Sequence, residues 1–213
     1  MTRSILAGLA AAVGLAIVSG TGCQTTGVGD PCTPEAEYDK SFLGFDESEV
    51  EVESKSFQCL TRLCLVNHFQ GRVSCPYGQD TNGMPIPPAS QGCLTPGVGT
   101  AVDGIDATGM QVDKTKKAAV EPQCLLRTAD KAVYCSCRCA NVDGNQNDGA
   151  VYCTCPDGYD CTQLVSSIGT TSEGLTGGYC IKHGTLYDQT NPCGGTCDPN
   201  AKNCGNAQGI TVM

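Results

Sequence analysis

AVYCSCRC, residues 132–139, sets Cys135, Cys137 and Cys139 within five positions, and AVYCTC (150–155) repeats its start with Cys153 and Cys155. Thiols this close suit a metal site, a redox centre or the meeting point of several disulfides. Side chains on a strand alternate between faces, so an extended C-x-C-x-C puts its thiols on one face, about 6.5–7 Å apart. A tetrahedral zinc site with Zn–S near 2.3 Å needs sulfurs just under about 4 Å apart. Residues i and i+2 of a strand also miss the Cα and Cβ spacing of a disulfide. Each thiol is therefore expected to pair with a partner on another segment. The stretch ANVDGNQNDG between the two copies is dense in turn formers, so the copies are expected as the two strands of a β-hairpin.

Whether the thiols are oxidised depends on the compartment, and the other end of the chain bears on that. MTRSILAGLAAAVGLAIVSGTGC carries one charge, Arg3, ahead of an apolar run from Ile5 to Val18. That run falls short of the roughly 20 residues of a membrane-spanning helix, and with the small residues after it reads as an export signal over residues 1–22. The segment ends on Cys23, at a position that resembles the lipobox of bacterial lipoproteins. The resemblance implies that Cys23 carries the lipid anchor. Gly20, where the family favours Leu, departs from the pattern and keeps ordinary signal cleavage open. Gln24, rather than Asp, after the cysteine implies transfer to the outer membrane. Of the 17 cysteines, lipidation of Cys23 leaves an even number, as a secreted disulfide framework requires.

The exported part has no Trp, four Phe and seven Tyr in the whole chain to draw on, too little bulk for a large core. Cysteine makes up roughly one residue in twelve of it, at the edge of disulfide-scaffold composition. Such a chain is expected to be held by cross-links. Its net charge, −9 for the full chain, becomes more negative once Arg3 is removed. An acidic surface of this kind does not seek nucleic acid or anionic lipid.

The expected fold class is a small disulfide-rich, mainly β protein: short antiparallel strands and hairpins with much irregular loop, behind an N-terminal signal helix. Residues 23–34 form a tether and residues 35–75 a cysteine-stapled β segment. In the latter, SEVEVES alternates charge with Val50 and Val52, as a half-buried edge strand guarded by its charges would. SFQCLTRLCLVNHFQGRVSC (56–75) reads as two short strands joined near Asn67–Gly71, with His68 in the turn. Residues 76–122 are rich in Pro and Gly and read as an irregular connection pinned at Cys93; the small basic cluster Lys114, Lys116 and Lys117 within it reads as a solvated loop. Residues 123–213 form a second disulfide-rich β segment, in which CTQLV (161–165) and GGYCIKH (177–183) are further strand candidates. The tail around Cys193, Cys197 and Cys204 is nearly all turn residues. All sixteen cysteines apart from Cys23 are expected in disulfides, with pairing unassigned and no free thiol: Cys32, Cys59, Cys64, Cys75, Cys93, Cys124, Cys135, Cys137, Cys139, Cys153, Cys155, Cys161, Cys180, Cys193, Cys197 and Cys204.

Other motifs carry less. DGNQNDG (143–149) places Asp143, Asn145 and Asn147 at the one-three-five spacing of a calcium loop. Asp148 stands where Gly is required and Thr154 where a bidentate Glu is, so a metal-free turn is expected. CTCPDGYDC (153–161) resembles the C-terminal half of an epidermal-growth-factor-like module, but Cys161 follows Tyr159 too early for that spacing. There is no G-x-S-x-G elbow, no H-E-x-x-H, no phosphate loop and no C-x-x-C. The two histidines, His68 and His183, lie far apart in sequence. No catalytic residue, cofactor or metal is therefore expected.

The residues Gly29–Cys32, Phe57–Gln79 and Tyr134–Cys161 together resemble the cysteine-rich outer-membrane lipoproteins of gliding, predatory soil bacteria, some of them named for adventurous gliding motility. The resemblance covers about half of the exported chain. It implies a non-enzymatic structural or interaction protein of the cell envelope, with protein partners there. A secreted binding or protease-inhibitor-like module is the alternative.

Overall fold

The computed structural model describes residues 27–103, 119–165 and 175–205. The export signal, Cys23 and the Lys114–Lys117 cluster lie outside them. Fourteen cysteines pair in seven disulfides: Cys32–Cys64, Cys59–Cys135, Cys75–Cys93, Cys124–Cys193, Cys137–Cys153, Cys139–Cys161 and Cys155–Cys180. Cys135, Cys137 and Cys139 do go to three different segments. The expectation of no free thiol does not hold: Cys197 and Cys204 are unbonded.

Two three-stranded antiparallel sheets form the body. The first, in order β1-β2-β3, joins β1 (Val50–Glu53), β2 (Cys64–Asn67) and β3 (Val133–Cys135). The second, in order β4-β6-β5, joins β4 (Arg138–Ala140), β5 (Tyr159–Val165) and β6 (Gly177–Lys182). As SEVEVES suggests, β1 is an edge strand, with Val50 and Val52 on the inner face. β5 and β6 occupy the two C-terminal strand candidates, paired with Cys161 opposite Cys180.

β2 is buried along its whole length, and the alternation of its side chains shows why. Leu65 pairs with Val52 on one side and Tyr134 on the other, and this row packs against Tyr179, Ile181 and Val165 of the second sheet. Cys64 and Val66 point the other way, into a second core with Phe45, Phe69, Val73, Ala132 and the disulfides Cys32–Cys64 and Cys59–Cys135. With both faces covered, the first sheet is the middle layer. Helical structure among the described residues is limited to a 3-10 turn, Glu35–Tyr38, and one turn of helix, α1 (Ala129–Ala132).

Three expectations change. The copies AVYCSC and AVYCTC do not form a hairpin: the strand of the first copy, β3, pairs with β2 and the following β4 with β6, and residues 150–158 adopt no strand. The second copy is held by Cys137–Cys153 and by Cys153 N, which donates to Arg138 O at 3.1 Å. The CSCRC run does not present one face either. The chain leaves the first sheet after Cys135 and enters the second at Arg138. Ser136 bridges the two by donating from its amide to Leu63 O and from its hydroxyl to Cys180 O. Cys135 thus joins the outer core, while Cys137 and Cys139 pack with Cys180. Finally, residues 56–75 supply one strand, not two. After β2 the backbone turns at Gly71 (φ +83°), where a Cβ would lie 2.2 Å from Glu121 O, and RVSC folds into a tight bridge between Arg72 and Cys75.

Between β1 and the C-terminal segment, residues 76–103 form only isolated bridges, Gln79 to Pro85 and Leu94 to Ala101. Cys75–Cys93 closes this stretch, and Gln79 Oε1 accepts from Cys93 N at 2.8 Å.

Candidate functional site

Six cysteines of the C-terminal half form an interleaved set. Cys137–Cys153 crosses Cys139–Cys161, which crosses Cys155–Cys180. Cys180 Sγ lies 3.6 Å from Cys137 Sγ and 3.7 Å from Cys153 Sγ. Among the described residues, four groups bring three ligand atoms within 4.8 Å of one another: Cys32/Cys59/Cys135, Cys137/Cys153/Cys180, Cys139/Cys155/Cys161 and Glu47/Cys124/Cys193. Every cysteine in them is already bonded, and a disulfide sulfur lacks the thiolate charge that holds a soft metal. These groups mark where neighbouring cross-links stack.

The loop after β4 turns on Asn141, a residue that sequence spacing does not single out. Its Oδ1 accepts from the amides of Asp143 and Asn145 at 3.0 and 2.8 Å, and Asn145 Oδ1 accepts from Asn147 N at 2.8 Å. Asp148 accepts from Asn141 Nδ2, Tyr152 Oη and Ala150 N, bonds that hold its carboxyl below the usual range. The oxygens of Asn145 and Asp148 thus face the loop's own donors.

A groove of about 510 Å³ opens where α1 meets the exit of β6, lined in part by Arg127, Lys131, Lys182, His183, Leu186 and Asp188. Lys182 leans over α1, its Nζ 3.4 Å from Asp130 O. His183 is exposed and pairs with Asp160 across the sheet at 3.1 Å. The groove thus sets Arg127, Lys131 and Lys182 beside Asp130 and Asp188.

Arg127 forms the floor. Its guanidinium donates to the carbonyls of Asn67, His68 and Thr185, tying the end of β2 to the exit of β6. Tyr187 stacks on His68, with ring centroids 4.0 Å apart. His68 Nδ1 meets Glu47 O at 2.9 Å, and burial pushes the ring below its usual pKa. The expected turn histidine is therefore part of a packed stack, and His183 stands apart from it on the surface.

A second charged group is fully buried under the 3-10 turn. Arg72 and Glu37 pair at 3.5 Å with no side-chain exposure on either. Glu37 accepts from Val73 N at 2.6 Å and Ser74 Oγ at 2.5 Å, while Arg72 donates to the carbonyls of Glu37, Asp39 and Phe42. Composition marks residues 35–56 only as acidic, and the apolar pattern around Arg72 gives no sign of a buried cation.

No protein-family model matches the chain, and neither curated proteins nor solved structures give a significant match. No helix among the described residues is long and apolar enough to cross a membrane.

Proposed function

We propose that the chain is a non-enzymatic, lipid-anchored component of the cell envelope, fixed through Cys23 to the outer membrane, where its disulfide-locked body meets partner proteins. The observation that supports this most directly is how soon after Cys23 the body starts. Gly29 N donates to Cys135 O, and Cys135 N donates to Asp30 O, both at 2.7 Å; Cys32 is bonded to Cys64. At about 3.3–3.6 Å per extended residue, the link from Cys23 to Gly29 spans at most about 22 Å. A lipid on Cys23 would hold the body at the bilayer surface, and a single site of this kind needs no membrane-spanning helix. The groove lined by Lys131, Lys182 and His183 and the Asn141–Gly149 loop are the surfaces on offer to partners. The resemblance to gliding-motility lipoproteins supports a place in a motility or adhesion apparatus.

Globomycin blocks lipoprotein signal processing, so treated cells should accumulate the unprocessed precursor, and Cys23→Ser should be released without lipid. Normal maturation under globomycin would overturn the anchor and leave a secreted disulfide-rich binding module. Deletion of the gene should impair single-cell gliding; unimpaired gliding would overturn the motility role.

A further inference from the structure

Cys197 and Cys204 are the two unbonded cysteines among the described residues, and they neighbour each other at the two ends of one tight loop. The loop between them closes without a cross-link. Asp198 N donates to Asn203 Oδ1 at 2.6 Å and Asn203 N donates to Asp198 O at 3.4 Å. Within it, Asn200 N donates to Asp198 Oδ1 and Lys202 N to Pro199 O. This pairing sets the flanking cysteines next to each other while both are thiols. Their surroundings differ. Cys197 is buried, with its amide on Gln123 O and its Sγ 3.1 Å from Pro76 O. Cys204 is partly exposed and lies beside Tyr77.

We infer that Cys197 and Cys204 form a reversible redox pair that opens and closes by exchange with an external small-molecule disulfide, while the other seven disulfides stay shut. The accessible Cys204 thiolate attacks one sulfur of the external disulfide, forms a mixed disulfide and releases one thiol. Cys197 then loses its proton and attacks Cys204 Sγ, closing Cys197–Cys204 and releasing the second thiol. Two protein thiols are oxidised and one external disulfide is reduced to two thiols. The order follows from access and from acidity. Burial and the neighbouring Cys204 push the Cys197 thiol up to about 12, so Cys197 is a poor first nucleophile. Reopening follows from access at Cys204, where an external thiol can attack the closed bond, and the loop's own hydrogen bonds hold its backbone while the bond is open. Just beyond, Gly205 packs so closely on α1 that a Cβ would lie 2.3 Å from Ala129 N, so closure pins the chain next to the helix turn that borders the groove.

The test incubates the intact exported protein in glutathione buffers of stepped reduced-to-oxidised ratio, quenches with acid, alkylates and maps the peptides. Cys197 and Cys204 should pass together, and in both directions, between alkylated and mutually cross-linked forms, at ratios that leave the other fourteen bonded. Trypsin cleavage after the exposed Lys202 should leave the two flanking peptides joined only in the oxidised buffer. Alkylation at Cys204 in Cys197→Ser should run at least about tenfold faster than at Cys197 in Cys204→Ser, because reactivity follows accessible thiolate. The proposal is overturned if the pair stays reduced in fully oxidised buffer, opens only together with the other disulfides, or cross-links to a third cysteine; equal alkylation rates overturn the order of attack.

Discussion

At Arg72 a guanidinium stands at zero exposure with one carboxylate and three carbonyls around it. Breaking a buried pair by removing one partner strands the other charge, at a cost of about 3–5 kcal/mol. Arg72→Met should lower the unfolding free energy of the disulfide-intact protein by that amount, seen as a lower urea midpoint, and Arg72→Met with Glu37→Gln should recover part of it. An unchanged midpoint in Arg72→Met would show that the pair contributes nothing. The acidic edge strand supplies a pH dependence. Burial, and then the neighbouring carboxylates, push Glu51 above its usual pKa, and burial does the same for Glu53. The folded state therefore holds these protons more tightly than the unfolded chain. That contribution to stability is present below the ordinary carboxylate range and is lost as pH rises through the raised folded values. Melting temperature should accordingly rise as pH falls from neutrality into that range, and Glu51→Gln should flatten the slope. A slope identical to that of the unmutated protein would contradict the assignment to Glu51.

Each of the strands β1, β2, β5 and β6 follows from a local pattern: alternation in SEVEVES, the apolar CLVN, and the short runs around Cys161 and Cys180. What local pattern does not carry is pairing between distant segments. A repeat separated by turn residues reads as a hairpin, yet β4 finds β6 instead, because β6 supplies Tyr179 and Ile181 to the core between the sheets whereas Val151 of the second copy is 97% exposed. Leu65, buried between Val52 and Tyr134, is the element whose loss is felt by both sheets. Leu65→Ala should cost about 2–5 kcal/mol in denaturant unfolding, against less than about 0.5 kcal/mol for Val151→Ala. Comparable losses at the two positions would argue for the hairpin. The Cys137–Cys153 cross-link does for the second copy what strand pairing would have done. Removing it with a double Ser substitution should cost about 3 kcal/mol, the value for a loop of roughly 15 residues.

Across the whole molecule, cross-links replace apolar bulk. The middle sheet is covered on both faces, and much of one cover is cystine, Cys32, Cys59, Cys64 and Cys135, while the interleaved set packs around Cys180 of the second sheet. Composition alone indicates such a fold, and the spacing of CSCRC indicates that its thiols disperse. Which thiol meets which is set by long-range packing, and the unbonded Cys197 and Cys204 sit in a tail whose turn residues give no sequence signal of a preformed loop. The groove and its Arg127 floor were equally hidden, since Asn67, Arg127 and Thr185 converge only after both sheets form. The central claim, a two-sheet body stapled in one specific way, is tested most directly by peptide mapping of the exported protein without reduction. The map should return Cys59–Cys135 with Cys32–Cys64 and, in the C-terminal half, Cys137–Cys153, Cys139–Cys161 and Cys155–Cys180. Recovery of Cys64–Cys135, which face each other across β2 and β3, together with Cys32–Cys59, would contradict it.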